Sequence, residues 1–418
     1  MLITHASQLL TLAGGPQRGS ILGGLGIVED GACLIRDGKV VETGTTAALQ
    51  AGHPTEERLD AGGKVVLPGF VDPHTHVVWA GSRAREFEMR LEGRSYMEIM
   101  AGGGGILSTV RSTREAAYED LLEQTRRRLK DMFRNGTTTA EVKTGYGLET
   151  ACELRQLQAI RDLDREGPME LVSTFLGAHA VPPEYAGNLN GYIDLLIDEM
   201  IPAVKTWWLE HAPQEPLPFV DVFCEKGVFD LEQTGRILSC AKEMGFPLKL
   251  HVDEFENLGG ASLAAKMDAA SADHLVKTSA SDIRSLAQSR TVAVALPCTP
   301  FGLGDPHYTP ARDIIDADGL LALASDINPG TAWCGNMQFV IALSCRAMGL
   351  TPSQAIAAAT INAAAAIRLE DRVGSLETGK QADLLILTTG DYRDLAYRFG
   401  NNLVQTVIKK GNVYPIAG

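Results

Sequence analysis

The sequence predicts an α/β protein, a (β/α)8 TIM barrel with a small β-sandwich domain formed by both chain termini. Three observations lead there. Through the middle of the 418 residues, short strand-like segments alternate with amphipathic helical ones, and eight such strands can be counted. Polar side chains gather just after the C-terminal ends of those strands, the face on which such barrels carry their chemistry. Both chain ends read instead as hairpins without a helical period. The expected boundaries are 1–66 and 371–418 for the sandwich and 67–370 for the barrel.

Taken in order, Ala32–Arg36 and Val40–Glu42 flank Asp37-Gly38, a pair that tolerates the positive φ of a tight hairpin turn. Lys64 to Phe70 reads as one buried opening strand, interrupted only by Pro68-Gly69. Ser112-Thr113-Arg114-Glu115 has the spacing of a capping box and predicts a helix start. Ala117, Leu121, Thr125, Leu129, Met132 and Phe133 then share one helical face, which Asn135-Gly136 ends. Thr137–Val142 is the next strand, and 149–165 the next helix. Leu171–Leu176, Phe219–Phe223, Leu248–Leu250, Ala270–Asp273, Val292–Leu296 and Leu320–Ala324 complete the eight. Ala382–Leu387 is a terminal strand, and Val404–Ile408 and Val413-Tyr414 flank the turn Lys410-Gly411-Asn412.

Composition narrows the function. A net charge of -14 with no basic block disfavours nucleic acid and anionic membranes as partners. Seven scattered cysteines without a C-x-x-C pair do not make a disulfide framework. Met1–His5 lacks a charged region leading into an apolar core, and no run approaches the ~20 apolar residues of a membrane span. A reducing, cytoplasmic setting follows. Gly102–Gly105 is followed by no Gly-Lys-Ser/Thr, so it reads as a mobile loop over the barrel mouth rather than a phosphate loop. Trp207-Trp208 and the proline-rich stretch to Pro218 read as a surface excursion.

His74 and His76 follow the opening strand in a His-x-His pair. Alternation along a strand turns both imidazoles the same way, which makes half a metal site. Five of the nine histidines (His74, His76, His179, His251, His274) fall at predicted strand ends. The other four (His5, His53, His211, His307) fall in predicted loops, where solvated side chains are the expectation.

Pro68–His76, His251, His274, Ser325-Asp326 and the run Val373–Leu384 together resemble the amidohydrolase superfamily of metallo-dependent hydrolases. Glu141–Gly147, Phe175–His179, Asp221–Glu225, His251–Phe255 and Ser325–Thr331 sharpen that resemblance. They match members that open the ring of 4-imidazolone-5-propanoate, giving N-formimidoyl-L-glutamate in histidine degradation. The resemblance implies a hydrolase of a cyclic amide C–N bond. It implies that His74, His76, His251 and Asp326 bind one divalent metal. Three imidazoles and a carboxylate suit Zn2+ or iron, Fe2+/Fe3+. It further implies that Asp326 accepts the proton of the attacking water, His274 hydrogen-bonds the nucleophile, and Glu254 shuttles a proton to the leaving nitrogen. Arg83 would grip the propionate, and Tyr146, His179, Asn328, Gly330 and Thr331 would contact the ligand. A homodimer is implied as well. Glu225, at the end of the fourth strand, would sit behind the ligands rather than hold a second metal. Two alternatives stay open: another hydrolase on the same scaffold, such as a nucleobase deaminase or a dihydroorotase-like cyclic amidase, and a non-catalytic metal-binding protein.

Overall fold

A computed structural model describes residues 1–94, 98 and 104–416. The N-terminal segment forms β1 (Leu2–Leu10), β2 (Ile27–Arg36), β3 (Lys39–Thr45), β4 (Arg58–Asp60) and β5 (Val65–Pro68). The barrel strands follow: β6 (Phe70–Asp72), β7 (Thr137–Lys143), β8 (Glu170–Ala178), β9 (Phe219–Cys224), β10 (Leu248–Val252), β11 (Ser271–His274), β12 (Val292–Ala295) and β13 (Leu321–Leu323). The C-terminal strands are β14 (Leu384–Leu387), β15 (Val404–Lys409) and β16 (Asn412–Pro415). Strands from both termini share one mixed sheet in the order β16-β15-β14-β5-β1-β2-β3, with β4 beside β1. Both predicted hairpins turn through positive φ, at Asp37-Gly38 (50° and 72°) and Lys410-Gly411 (50° and 76°).

The other sheet runs β6 to β13 in sequence order, every neighbouring pair parallel. Beyond the strand ends, Asp326 N–H donates to the His74 carbonyl at 3.1 Å and His76 N–H to that of Ile327 at 3.0 Å, joining the last strand's extension to the first. Helices cover the outside, and aliphatic side chains such as Leu250, Ala272, Val294 and Leu323 are fully buried.

Four details differ from the sequence reading, the first being that His5 lies within β1 and His211 ends the helix Ile201–His211, where loops were expected. The apolar run 64–70 is divided between two sheets, β5 in the terminal one and β6 in the barrel. The break is at Gly69, whose N–H reaches Asp383 O at 2.9 Å and where a Cβ would run into Thr138. Ser112–Glu115 begin no helix; they end the helix Ile106–Glu115, and Thr113 Oγ1 accepts the Ala80 N–H at 3.1 Å. The next helix, Tyr118–Arg134, starts without a side-chain cap but buries the predicted face: Leu121, Thr125, Leu129, Met132 and Phe133. Trp208 is no surface residue. It lies buried on the helix Ile201–His211 beneath the Arg161 guanidinium, 4.9 Å from its ring. The loop expected at Gly102-Gly103 lies outside the described residues. Among the described residues, no helix is long and apolar enough to cross a membrane.

Candidate active site

β6 ends at Asp72, and the chain continues extended, so His74 and His76 turn into the barrel mouth, both buried. His74 Nε2 and His76 Nε2 stand 3.2 Å apart. His251, in β10, places its Nε2 3.4 Å from that of His76. Asp326 Oδ1 lies 3.5 Å from His74 Nε2 and 3.4 Å from His76 Nε2. Four donors held about 2.0–2.1 Å from one ion in a tetrahedron stand about 3.3–3.4 Å from each other. The four separations given match that spacing, and among the described residues two triads close on a common point, His74–His76–Asp326 and His74–His251–His274. Burial, then the Lys143 charge, hold His74 well below the usual imidazole range; burial, then His251, do so for His76. Both rings are therefore neutral and present lone pairs, so the donor set fits a divalent cation.

A layer beneath orients these rings. His74 Nδ1 is 2.6 Å from Asp273 Oδ2, and His251 Nδ1 is 3.1 Å from Asp221 Oδ1. A carboxylate on Nδ1 fixes the tautomer that leaves Nε2 free for a metal. Lys143, wholly buried, donates to Asp221 at 2.7 Å and Glu141 at 2.8 Å, and lies 4.0 Å from Asp273. Lys249 stands 3.5 Å from Asp273. Burial would raise the Asp221 carboxyl, but its hydrogen-bonding neighbours His251 and Lys143 outweigh it and hold the group well below the usual carboxylate range. Asp326 is steadied by the Thr299 hydroxyl, which donates to its Oδ2.

Glu254 and His274 face the same space. Glu254 Oε2 is 3.6 Å from His274 Nδ1, too long for a hydrogen bond, and among the described residues neither nitrogen of His274 has a hydrogen-bond partner. Burial, then the charges of Asp326 and Glu225, raise the Glu254 carboxyl well above its usual range, which favours its protonated form. Burial brings His274 down to about 3, leaving a neutral ring. Asp253 (φ 53°), His274 (79°) and Asp326 (53°) all adopt the left-handed region, the kind of backbone strain that gathers at functional sites.

On the substrate side, Arg83 donates from Nε to Glu86 at 2.9 Å. Glu86 also accepts from Gly105 N–H (3.1 Å) and Ser108 Oγ (3.2 Å), tying the arginine to the start of the helix Ile106–Glu115. A Cβ at Gly330 would sit 2.5 Å from Arg83 Nη1, so the guanidinium occupies the space a side chain there would fill. Arg90 reaches Gly330 O at 3.0 Å, a second cation the sequence reading missed. Asn328 spends its side chain on its own loop: Oδ1 accepts from Gly330 and Thr331 N–H, both at 2.8 Å, and Nδ2 donates to Asp326 O at 2.8 Å. His179 stacks on His76 at 5.1 Å, with the Tyr146 ring 5.4 Å from His179 and 6.2 Å from His76.

Glu225 points elsewhere. Its carboxylate accepts from Lys226 (3.0 Å), Phe255 (2.9 Å) and Glu256 (3.1 Å) N–H, bracing the loop that carries Glu254. Asp221, Asp273, Lys143, Thr299 and Glu86 were also missed. Asp221 could have been found as the one charged residue in the otherwise apolar β9; β7 and β11 are too polar for Lys143 and Asp273 to stand out in the same way.

Fold and site together are those of a metal-dependent amidohydrolase barrel. Two models described as amidohydrolase family match residues 242–414 and 57–104. Among solved structures, E. coli guanine deaminase (TM-score 0.74, 15% identity, 99% of this chain and 98% of that one) and a triazine hydrolase variant (TM-score 0.75, 16% identity, 100% and 96%) share the fold. Whole-chain relatives are much nearer. An imidazolonepropionase of Herpetosiphon aurantiacus is 51% identical across 99% of this chain and 96% of its own length. One of Symbiobacterium thermophilum is 48% identical across 99% and 96%. The chain belongs to the imidazolonepropionase family.

Proposed function

We propose that this chain is a cytoplasmic hydrolase that opens the ring of 4-imidazolone-5-propanoate, giving N-formimidoyl-L-glutamate. His74, His76, His251 and Asp326 would hold one ion per chain, zinc or iron. When bound, that ion supplies Lewis acidity toward water and the ring carbonyl. Membership of the family supports the substrate. The observation that carries the reading is the pairing of this histidine–carboxylate cluster with a guanidinium seated at Gly330; Tyr146 neighbours both, its ring beside His76 and its phenol within the field of Arg83 and Asp326.

Arg83 takes the propionate through a charge-assisted, two-pronged pair. Arg90 adds positive potential beside it. Water adds to the ring carbonyl carbon, forming a C–O bond, while Asp326 accepts the water's proton. His274, with both ring nitrogens free, hydrogen-bonds the incoming oxygen. Tyr146 and His179 line the side on which the carbonyl oxygen gathers charge. The ring C–N bond then breaks, and Glu254, kept protonated by its burial, donates to the leaving nitrogen. Asp326 and Glu254 together pass on one proton, so the sum is water plus cyclic amide giving an open-chain acid. A neutral purine would need no arginine at Gly330, which separates this reading from a deaminase. The assembly is proposed to be a homodimer.

The test is product identity. Incubation of the metal-loaded chain with the imidazolone in 18O water should give N-formimidoyl-glutamate carrying one heavy oxygen in the new carboxylate, read by mass spectrometry. An unchanged imidazolone, alongside turnover of a nucleobase with release of ammonia, would replace this reading with the deaminase one.

A further inference from the structure

Glu153 touches no part of the metal cluster, yet it is fully buried in the first turn of the helix Thr150–Glu166. Its carboxylate collects the backbone of the loop after β7. Oε2 accepts from Gly145 N–H at 3.0 Å; Oε1 accepts from Gly147 and Leu148 N–H, both at 2.8 Å. Gln156, one turn on, accepts the remaining N–H, that of Tyr146, at 3.3 Å. Four consecutive amides thus point inward to two side chains of one helix. The carbonyls of Gly147 and Leu148 point outward, taken by Arg114 at 2.7 and 3.3 Å. Gly145, at φ 106°, makes the bend, and a Cβ there would crowd His179 Nδ1 at 2.9 Å.

What this loop presents to the histidine cluster is the Tyr146 ring, beside His76 and His179, and the Gly145 carbonyl, which lies 3.0 Å from His179 Nδ1. That carbonyl can only accept, so Nδ1 carries the hydrogen and Nε2 of His179 is left as an acceptor. We infer that Glu153 is a positioning residue: through the Gly145–Leu148 backbone it sets the ring orientation of Tyr146 and the tautomer of His179, and so the grip on the substrate ring. This rests on the reading of Tyr146 and His179 as substrate contacts.

The zinc-loaded Glu153→Gln protein tests it. Glutamine can still accept from Gly147 and Leu148 but offers an N–H to the Gly145 N–H, which releases that end of the loop. The expected result has three parts. Metal content stays at the wild-type value. The ring 15N signals of His179 shift toward a mixture of tautomers. The value of kcat/KM falls on the order of 10²-fold, mostly through KM, because a contact displaced by about 1 Å loses that much. Glu153→Asp keeps the carboxyl group but withdraws it by one methylene, and serves if the glutamine variant does not fold. Unmoved His179 signals in a folded variant, or an unchanged kcat/KM, would overturn the inference. The ring signals are read without substrate, so a wild type that left the imidazolone untouched would count against the proposed function and not against this role of Glu153.

Discussion

Asp273→Asn is the sharpest perturbation of the metal cluster that leaves its ligands in place. Asp273 Oδ2 sits 2.6 Å from His74 Nδ1, and both groups are wholly buried. The carboxylate can only accept, so it holds the hydrogen on Nδ1 and the lone pair on Nε2. An asparagine turned with its N–H toward His74 stabilises the opposite tautomer, which puts a hydrogen where the ion should be. Carboxylates in this position typically contribute 10- to 100-fold to metal affinity, or about 1.4 to 2.8 kcal/mol. The damage stays local. Lys143 keeps Asp221 and Glu141, and Lys249 keeps Ser271 at 2.5 Å, so neither ammonium is left bare. Competition against a coloured chelator measures the affinity directly, with far-ultraviolet circular dichroism as the check on folding. A folded variant within about twofold of the wild-type affinity would refute the reasoning, because a fixed tautomer would then contribute almost nothing.

Three further outcomes follow from the same geometry. Glu254→Gln should keep its metal and lose ~10²-fold or more in kcat; metal loss would make Glu254 a ligand, and an intact kcat would remove it from proton transfer. Arg83→Ala should lower kcat/KM by roughly 10- to 150-fold, mainly through KM, yet leave turnover of an imidazolone without the carboxylate no worse than wild type; equal losses on both compounds would end its role as a carboxylate clamp. The thiols should rank by environment: a hydrogen bond from Cys298 lowers Cys334, whereas burial pushes Cys33 up to about 12 and Cys152, Cys224 and Cys345 up to about 11. Since the thiolate is the reactive form and its fraction rises with pH, brief alkylation at neutral pH should label Cys334 before those four, and Cys33 modified first would contradict the account.

The barrel was legible because strand-like and helical segments alternate through the middle of the chain, eight strands in all, with histidines or an aspartate just after strand ends, as at His74, His179, His251, His274 and Asp326. The histidines stood out by position: His74, His76, His251 and His274 each fall at or just past the end of a strand-like segment. Other features were hidden because they depend on partners far away in sequence. Gly69 reads as a turn inside one strand, and only contact with Thr138 and Asp383 shows that the chain changes sheets there. Ser112–Glu115 has the composition of a helix start, but Thr113 is claimed by Ala80, and the helix had already begun at Ile106. Glu225 was expected to sit behind the ligands, but the three amides that occupy it, two of them from another loop, could not be read from the sequence. The Lys143 lattice joins residues 141, 143, 221, 249 and 273, a grouping that exists only once the strands stand side by side.

The most direct test of the central claim is a time course of imidazolone absorbance over three samples: the chain as purified, the chain stripped by a chelator, and the stripped chain titrated with zinc or ferrous iron. Absorbance should fall with the first and stay constant with the second, and activity should recover linearly to a plateau at one ion per chain. Full activity in the stripped protein, or a plateau reached only at two ions, would contradict a single centre built from His74, His76, His251 and Asp326.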